Sequence, residues 1–399
     1  MKRSSFFTVP LLLIGIAVVL AATTPVMAQG HMVFNPPVRV SDGPQNPSNP
    51  TGILPQQFKA AYGFNRIPNA GQGQTIALVD AFDDPNIASD LAFYANYFHI
   101  APCNFQKVKI GNPTTDTGWG LEISLDVEQA CMLAPQANII LVEANSNSDA
   151  DLFAAVQAAY SQPNNATAVS MSWGGGEDSS ELQDDTYMCN ILSGNGHPVT
   201  FFTSSGDGGH GAQYPAASPC VVAVGGTTLV IAQATPLPNP LQLNYGTENG
   251  WRSSGGGVSA FEAQPSWQNP ACATWSTTNR CIPDIASVAQ NIPVYDTFGF
   301  GGWVNVAGTS ISSPDWAAFA TLVNSMRANN GKDTLSQAAF DLYQVYYSGN
   351  YMSDFHDITT GNNGNCGSQC NTGPGYDLVT GIGTYKANVL VNALVADTN

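Results

Sequence analysis

Runs rich in apolar residues alternate with helical patterns along the chain from residue 51 onward. The short runs predict buried strands at residues 75–79, 139–142, 168–173, 199–204 and 221–224. Apolar residues at helical spacing predict helices at residues 87–98, 121–134 and 152–160. This alternation predicts an α/β fold, with a mostly parallel central sheet and helices on both faces. Such folds keep their functional residues where strands end.

A further helical pattern, residues 316–326, follows a stretch of small residues that leads into Ser310. We predict a tight turn that places Ser310 at the N-terminal end of a buried helix. Pro314 suits the first turn, where its missing N–H costs nothing. A backbone N–H at this position lacks an intrahelical partner and could donate to an oxyanion. The alternative is a serine that only caps the helix.

The N-terminus predicts a secretory signal over residues 1–28. Lys2 and Arg3 precede an apolar run at residues 11–22, and residues 26–28 offer a small-x-small cleavage site. A retained membrane anchor is the alternative, but the run is short for a span. Residues 29–50, rich in Pro, Asn and Ser, predict a flexible, unstructured lead. Residues 51–399 then form the functional domain.

Charge and cysteine content indicate the kind of compartment in which the protein works. The chain has 29 acidic and 12 basic residues, a net charge of −17, which argues against a nucleic-acid partner. Such an excess of acidic residues suits an acidic medium. At about pH 3–4 many carboxylates are neutral, so the repulsion between them largely disappears. All eight cysteines follow residue 28, which indicates disulfides formed in an oxidising compartment. Cys366–Cys370 and Cys272–Cys281 are plausible local pairs, and the remaining connectivity stays open.

Ser310 needs a base if it is a nucleophile. None of the five histidines lies in a setting that would open a catalytic helix, and imidazole is protonated in acid. Glu122 and Asp126 lie four residues apart on a predicted helix, so they share one face. Two adjacent carboxylates tend to retain one proton, which gives a base and a group that orients it. The alternative is a solvated helix face.

A third candidate lies in the segment Ser205-Gly206-Asp207, directly after a predicted strand. A protonated Asp207 could donate a hydrogen bond to an oxyanion. An ordinary turn residue is the alternative, since Asp-Gly favours turns.

Together these segments resemble the sedolisin family of serine-carboxyl peptidases, which has a subtilisin-like fold. The matching motifs follow the family order and lie at residues 120–127, 169–174, 205–207, 255–259, 265, 267, 283–284, 308–310, 314 and 355–383. The resemblance implies that Ser310 is the nucleophile and Glu122 its general base and acid. It implies that Asp126 holds Glu122 and that Asp207 is the oxyanion donor.

The resemblance also implies a substrate-binding strand end and a calcium loop. Ser172, Trp173 and Gly174 would bind the substrate backbone, with Trp173 as a pocket wall; a core aromatic is the alternative. One Ca²⁺ would be bound by two carboxylates and three carbonyls, a donor set that suits a hard cation. The implied ligands are Asp357, Ile358, Gly373, Gly375 and Asp377. A turn-rich hairpin without metal is the alternative.

The length of the N-terminal segment departs from the family pattern, and Asp80 is an additional acid near the predicted site. Only residues 29–50 separate the predicted signal from the catalytic segment, so the family's usual long prodomain is expected to be missing. Asp80 ends a predicted strand, where subtilisins carry a triad acid. Because Asp126 already fills that role, we expect Asp80 to be a supporting acid.

The expected function is a secreted, acid-acting serine endopeptidase that cleaves polypeptides through an acyl-enzyme on Ser310. It is expected to act as a monomer, without nucleic acid and without a membrane after signal cleavage. An inactive sedolisin-like binding protein is the alternative. A neutral, histidine-dependent hydrolase is disfavoured by the absence of a suitably placed histidine.

Overall fold

The computed structural model describes Met1 and residues 32–41, 46–232 and 244–397. Apart from Met1, the predicted signal, residues 1–28, lies outside the described residues. So do residues 29–31 and 42–45 of the predicted lead.

Seventeen strands are present in the described residues. In chain order they are β1 Arg39–Val40, β2 Thr75–Ala81, β3 Asn104–Lys109, β4 Asn138–Ala144, β5 Ala168–Met171, β6 Gly175–Gly176, β7 Thr200–Ser204, β8 Gln213–Tyr214, β9 Val222–Ala232, β10 Asn244–Gly250, β11 Gly257–Ala263, β12 Asn279–Ile282, β13 Ile285–Val288, β14 Gln290–Asp296, β15 Gly302–Ala307, β16 Phe355–His356 and β17 Thr384–Tyr385.

Nine α-helices accompany them in the same described part of the chain. They are α1 Pro55–Tyr62, α2 Ile87–Tyr97, α3 Thr117–Leu133, α4 Asp149–Tyr160, α5 Asn269–Cys272, α6 Thr309–Asn329, α7 Ala338–Tyr347, α8 Tyr351–Asp354 and α9 Ala387–Ala396. Short 3₁₀ segments lie at Phe64–Arg66, Glu181–Tyr187 and Gly367–Cys370.

The central sheet has eight strands, with β10-β9-β7-β5-β2-β4-β3 in spatial order and β13 paired to β9. All its pairings are parallel except β10 with β9. The predicted α/β fold with a mostly parallel sheet is therefore confirmed. The carboxyl ends of β2, β5 and β7 lie at the same edge of the sheet, since these strands run parallel.

Alternate residues of the central strands contribute to two different hydrophobic cores. On β2, Ile76 and Leu78 join the core that α1, α2, α3, α6 and α9 cover, whereas Ala77 and Val79 join the core under α4. Side chains of a strand point alternately to opposite faces, so one apolar run serves both layers. The predicted coverage of both faces is confirmed, although most helices lie on one face.

Two boundaries differ from the predicted ones in a way that affects the candidate site. β5 ends at Met171, so Ser172 and Trp173 lie in the segment that leaves the sheet. The helix α6 begins at Thr309, which makes Pro314 its sixth residue and not part of the first turn. Because Pro314 has no N–H, the Ser310 carbonyl lacks its intrahelical partner. The hydroxyl of Ser172 lies 3.4 Å from that carbonyl oxygen.

All eight cysteines form disulfides. The two local pairs predicted from the sequence, Cys272–Cys281 and Cys366–Cys370, are present. The structure resolves the open connectivity as Cys103–Cys131 and Cys189–Cys220.

The described part of the predicted lead is hydrogen-bonded to the rest of the molecule. Asn35 pairs with Gly174, and β1 forms an antiparallel pair with the end of β15. Phe34 is completely buried. The expectation of an unstructured lead came from local composition, which does not register pairing with residues more than a hundred positions away.

Within the described residues, no helix combines the length and the apolar character needed to cross a membrane.

Candidate active site

Acidic side chains and one serine converge at the carboxyl edge of the central sheet. Glu122 and Asp126 lie on α3, Ser310 in the first turn of α6, Asp80 near the end of β2, and Asp207 in the turn after β7. The charges of Asp80 and Asp207 and the groups of Ser310 and Asp126 all act on the pKa of Glu122. The four residues assigned to catalysis from the sequence are therefore brought together.

The hydroxyl of Ser310 is buried and has no hydrogen-bond partner. Gly308 precedes the helix with φ of 155° and ψ of 152°. Ser310 is the second residue of α6, so its backbone N–H has no acceptor within the helix. The residue thus presents two polar groups, Oγ and N–H, at the mouth of the helix. The Ser310 hydroxyl caps no backbone N–H, because it has no hydrogen-bond partner.

Glu122 and Asp126 are both completely buried, which excludes the solvated helix face considered above. Asp126 Oδ1 accepts a hydrogen bond from the Ser172 hydroxyl at 2.9 Å. Neither oxygen of Glu122 makes a bond of ordinary geometry, although Ser310 and Asp126 lie close enough to influence its pKa. Catalytic hydrogen bonds are often long in a protein without substrate.

Burial is the main cause that raises the pKa of Glu122 and of Asp126 well above their ordinary values. The charge of Asp80 is the next cause for both. Repulsion between neighbouring carboxylates disfavours the fully ionised state, so the group retains protons far above the usual range. At a pH where one of the two carboxyls has released its proton, that group can act as a base while the other remains protonated.

Asp80 contributes more to this site than the sequence suggested. It is completely buried, and neither of its carboxyl oxygens has a hydrogen-bond partner. Burial, and then the charge of Glu143 on the neighbouring strand, raise the pKa of Asp80 to about 8. Its place next to the Glu122–Asp126 pair fits the expected supporting acid.

Asp207 is held by the start of α6. Its Oδ1 accepts hydrogen bonds from the Thr309 N–H at 2.8 Å and the Thr309 hydroxyl at 3.1 Å, whereas Oδ2 is buried without a partner. Burial raises the pKa of Asp207 to about 7, although the bonds from Thr309 and the charge of Arg39 act in the opposite direction. A proton on Oδ2 would be free to donate.

A glycine-rich segment supports the turn that carries Asp207. The Gly255 N–H donates to the Gly206 carbonyl at 2.6 Å, and the Ser205 hydroxyl donates to the Gly255 carbonyl at 2.8 Å. A Cβ at Gly255 would lie 1.9 Å from the Ser205 carbonyl oxygen. Only glycine permits this approach, which explains the motif at residues 255–257.

Ser172, Trp173 and Gly174 lie where β5 ends. Trp173 is buried, and its indole N–H donates to the Val79 carbonyl at 2.8 Å. Its ring lies 5.2 Å from that of Phe34. Trp173 is therefore anchored like a core residue and also forms a wall that another side chain contacts. Gly174 exchanges two backbone hydrogen bonds of 3.1 Å with Asn35.

The described histidines lie away from this constellation. Nδ1 of His197 lies 2.7 Å from a carboxylate oxygen of Asp333, and His356 stacks on a tyrosine ring. His99 and His210 are exposed. None of these four replaces the carboxyl pair beside Ser310.

The candidate calcium loop contains two carboxylates that face the same short turn. The Gly373 N–H donates to Asp377 at 3.0 Å, and the Gly375 N–H donates to Asp357 at 3.0 Å. Burial raises the pKa of Asp377 to about 7 and that of Asp357 above its usual value. Neither carboxylate forms a salt bridge within the part of the chain that the structure describes. This oxygen donor set fits a hard cation.

The chain is similar to known subtilases. Residues 124–368 match the model of the Subtilase family. Kumamolisin from Bacillus sp. (strain MN-32) is 33% identical over 374 residues, and sedolisin from Pseudomonas sp. (strain 101) is 27% identical over 361 residues. The chain belongs to the sedolisin family of subtilases.

The matches cover most of this chain but less than two thirds of each of these two relatives. They span 87% of this chain and 64% of kumamolisin, and 84% of this chain and 60% of the Pseudomonas sedolisin. A solved structure of Pseudomonas sedolisin, complexed with two molecules of pseudo-iodotyrostatin, matches with a TM-score of 0.72 and 24% identity. That match covers 88% of this chain and 100% of the solved one. It confirms the subtilisin-like fold.

No role for Thr309 or Asn147 was predicted from the sequence. Thr309 positions Asp207, and the only local signal was its place after Gly308 at the start of the predicted helix. The Asn147 amide donates to the Phe34 carbonyl at 2.9 Å. That contact joins segments far apart in sequence, so no local pattern could have revealed it.

Replacing Asp80 by Asn should stabilise the protein at neutral and alkaline pH. The folded state retains a proton up to about pH 8, whereas an unfolded Asp releases it near its ordinary pKa of 3.8. The free energy of unfolding therefore falls as pH rises between these values. Asp80→Asn removes this loss, so the melting temperature should rise at pH 8 by at least about 2 °C and change little at pH 4.

Asp178→Asn provides the matched control for that measurement. Asp178 is exposed, and hydrogen bonds from Ser180 lower its pKa. Its replacement should not raise the melting temperature at pH 8. A loss of stability for Asp80→Asn at pH 8 would contradict our account of Asp80.

Proposed function

We propose that this chain is a secreted, acid-acting serine-type endopeptidase. It would cleave polypeptides through an acyl-enzyme on Ser310. The observation that carries the proposal is the buried Ser310 hydroxyl beside the Glu122 carboxyl, with neither group bonded elsewhere. Burying a hydroxyl and a carboxyl group without hydrogen-bond partners costs free energy of folding. Such a cost is expected where the two groups are paired in a reaction.

In the proposed acylation, Ser310 Oγ attacks the carbonyl carbon of the peptide bond. Glu122 accepts the hydroxyl proton and then gives it to the leaving amine, so that the bond to nitrogen breaks. Asp126 orients Glu122, and Ser172 fixes one oxygen of Asp126 at 2.9 Å. A water molecule then attacks the acyl-enzyme by the same proton path in reverse.

The negative charge that develops on the carbonyl oxygen requires donors. In the proposal these are the backbone N–H of Ser310 and a proton on Asp207 Oδ2. Thr309 fixes the other oxygen of Asp207, so the orientation of the donor is set before reaction. Donors that need no reorganisation give the largest stabilisation of an oxyanion.

Acid action follows from the same groups. Asp207 must be neutral to donate, and its pKa of about 7 makes it neutral in acid. An ionised Asp207 would repel the oxyanion. The chain has 29 acidic and 12 basic residues. This excess also favours an acidic medium, in which most surface carboxylates are protonated and their mutual repulsion is small.

The substrate would bind as an extended strand beside Gly174. This residue already pairs through both of its backbone polar groups with another segment of the chain. Ser172 and Trp173 would line the same path, with the ring of Trp173 as a pocket wall. Backbone pairing of this kind suits peptides and needs no nucleic acid.

Residues of the C-terminal loop would hold one Ca²⁺ that stabilises the fold. The proposed ligands are the carboxylates of Asp357 and Asp377 and the carbonyls of Ile358, Gly373 and Gly375. When bound, the ion would neutralise two partly buried acids. The protein is further proposed to act as a monomer, exported by its N-terminal signal and free of the membrane after cleavage.

Replacing the proposed nucleophile or base should remove activity without unfolding the protein. Ser310→Ala deletes one unpaired oxygen, and kcat on a denatured protein substrate should fall below a few per cent. Glu122→Gln should reduce kcat by about a hundredfold or more, the scale of a lost general base.

Two neighbours serve as controls for these variants. Ser312 lies on the same helix and bonds to the Ser287 carbonyl, and Glu128 lies on α3 and accepts from the Tyr295 N–H. Ser312→Ala and Glu128→Gln should retain most of the activity. Wild-type rates for both Ser310→Ala and Glu122→Gln would refute the proposed mechanism.

Asp207→Asn tests the origin of the alkaline limit. Wild-type kcat/KM should fall as pH rises through about 7, where Asp207 loses its proton. The amide of Asn does not titrate, so the variant should be slower at the optimum but lose less activity towards neutrality. An unchanged alkaline limb in the pH profile of kcat/KM would assign the limit to the Glu122–Asp126 pair.

Removal of calcium should destabilise the protein at neutral pH. A cation bound only to the folded state raises the melting temperature, so a chelator should lower it. Asp377→Ala should lower it similarly and make the chelator ineffective. The effect should fade as pH falls below about 7, because Asp377 becomes protonated. Protein purified with calcium but free of it by elemental analysis would refute the site.

A further inference from the structure

A cavity of about 340 Å³ opens where α1, β16 and the start of α9 meet. Arg66, His356 and Lys386 contribute basic side chains to its lining, and none of the lining residues is acidic. The chain as a whole has 29 acidic residues against 12 lysines and arginines. The cavity therefore carries the opposite charge to most of the molecule, and a local excess of positive charge attracts anions.

Arg66 is available to bind a ligand in this cavity. It ends the 3₁₀ segment Phe64–Arg66 that follows α1, and it is exposed. It forms no salt bridge with any residue of the described chain. A guanidinium presents its N–H donors in a planar fork that matches two oxygens of a phosphate or a sulfate. Arg66 thus offers a bidentate contact that no described carboxylate takes up.

Lys386 supplies a second cationic group. Its backbone N–H donates to the Asp354 carbonyl at 2.8 Å, which fixes the residue just before α9. Its ammonium donates to the Met352 carbonyl at 2.5 Å and forms no salt bridge with a described residue. Because an ammonium has three donors, a ligand in the cavity could accept hydrogen bonds from the remaining two.

The ring of His356 is held in a fixed plane on the cavity wall. Its centroid lies 3.7 Å from that of Tyr245, and the two rings are almost parallel, with an interplanar angle of 3°. The backbone of His356 also pairs with Thr384 in the ladder between β16 and β17. An imidazole carries at least one N–H in either protonation state. His356 can therefore donate to an anion without a change of protonation.

Two buried carboxyl groups, Glu248 and Asp354, lie near this cavity but do not line it. Glu248 lies behind the aromatic wall and accepts hydrogen bonds from the hydroxyls of two tyrosines and two threonines. Burial raises the pKa of Asp354 and the charge of Lys386 lowers it, but the two residues form no salt bridge. A ligand in the cavity would therefore meet the basic groups directly, with the acidic ones outside the lining.

We propose that this cavity binds an oxyanion, phosphate or sulfate, present as the free ion or as the ester group of a larger molecule. Arg66 would bind two of its oxygens, and Lys386 and His356 would donate to the others. Such anions keep a negative charge in acid, where most carboxylates are neutral. The bound anion would join three segments that are distant in sequence and so stabilise the folded state. None of the residues assigned to catalysis lines the cavity, so this inference does not rest on the proposed function.

Calorimetric titration of the full chain with inorganic phosphate tests the site directly. At about pH 5 and constant ionic strength in sodium chloride, we expect saturable binding with a Kd of about 1 mM or tighter. The melting temperature should rise by at least about 2 °C at about fifty times that concentration, because the anion binds only the folded state. Inorganic sulfate should give the same two results. Absence of saturable binding for both ions would overturn the proposal.

Variants separate this site from a general attraction of anions. Arg66→Gln and Lys386→Gln should each weaken phosphate binding about tenfold or more, and Arg66→Lys should recover part of the loss by restoring the charge without the fork. Arg66 is exposed, so its replacement should leave the fold intact. Arg252 is also exposed but does not line the cavity, so Arg252→Gln is the matched control and should bind as tightly as the wild type. Equal losses for Arg66→Gln and Arg252→Gln would overturn the site, since they would indicate only a diffuse electrostatic effect.

Two further titrations identify the source and the class of the anion. Glycerol 3-phosphate should bind more tightly than inorganic phosphate if an ester group is the ligand, and no more tightly if the free ion is. Sodium acetate should bind at least about tenfold more weakly than phosphate, because a carboxylate offers fewer oxygens to the three basic groups. Equal affinity for acetate would refute an oxyanion site. Phosphate binding by a chain without peptidase activity would refute the proposed function alone, and activity without phosphate binding would refute this site alone.

Discussion

Three carboxyl groups, those of Asp80, Glu122 and Asp126, are completely buried, and none of them forms a salt bridge within the described part of the chain. Desolvation is the main cause that raises the pKa of each, and the charge of Glu143 adds to it for Asp80, whereas the charge of Asp80 adds to it for Glu122 and Asp126. The folded protein therefore retains protons that water would remove. This arrangement costs free energy at neutral pH and is tolerable in acid. The rest of the site depends on it, because a carboxyl that can exchange a proton near Ser310 must be kept from water and from basic residues.

The fold keeps these groups in place through elements that are rigid for other reasons. The strand β2 lies in the middle of the sheet and contributes to both cores, which fixes Asp80. The two longest helices of the described chain, α3 and α6, pack on the same face of that sheet and carry Glu122 and Ser310. Close backbone contact at Gly255 then fixes the turn of Asp207. Asp80, Glu122, Asp207 and Ser310 therefore come from four different segments, and packing sets their relative positions.

Residues 33–41 cover the same edge of the sheet. An edge with free backbone groups at Gly174 and Ala307 would accept any extended chain, including a neighbouring molecule. Residues 33–41 pair with both sides of this gap, and Phe34 fills the pocket beside Trp173. The edge of the sheet that could pair with an extended polypeptide is thus covered by a segment of the same chain.

Local sequence determined the secondary structure and the chemistry available to the site. Alternating strand and helix patterns defined the α/β class, and the spacing of Glu122 and Asp126 placed them on one helix face. A position at a helix start gave Ser310 its free N–H. Short separations also identified two disulfides. These features depend on residues only a few positions apart, which is the range that periodicity and turn chemistry can specify.

Only the tertiary structure decided how deeply those groups are buried and which charges lie near them. Whether Glu122 and Asp126 face water or the interior depends on α6 and β2 packing over them, so the sequence left both possibilities open. The importance of Asp80 follows from the same burial. The position of residues 33–41 depends on contact between Asn35 and Gly174, which lie 139 positions apart by their numbers. Composition predicted no structure there, because backbone pairing across such distances is set by the whole fold and leaves no local pattern.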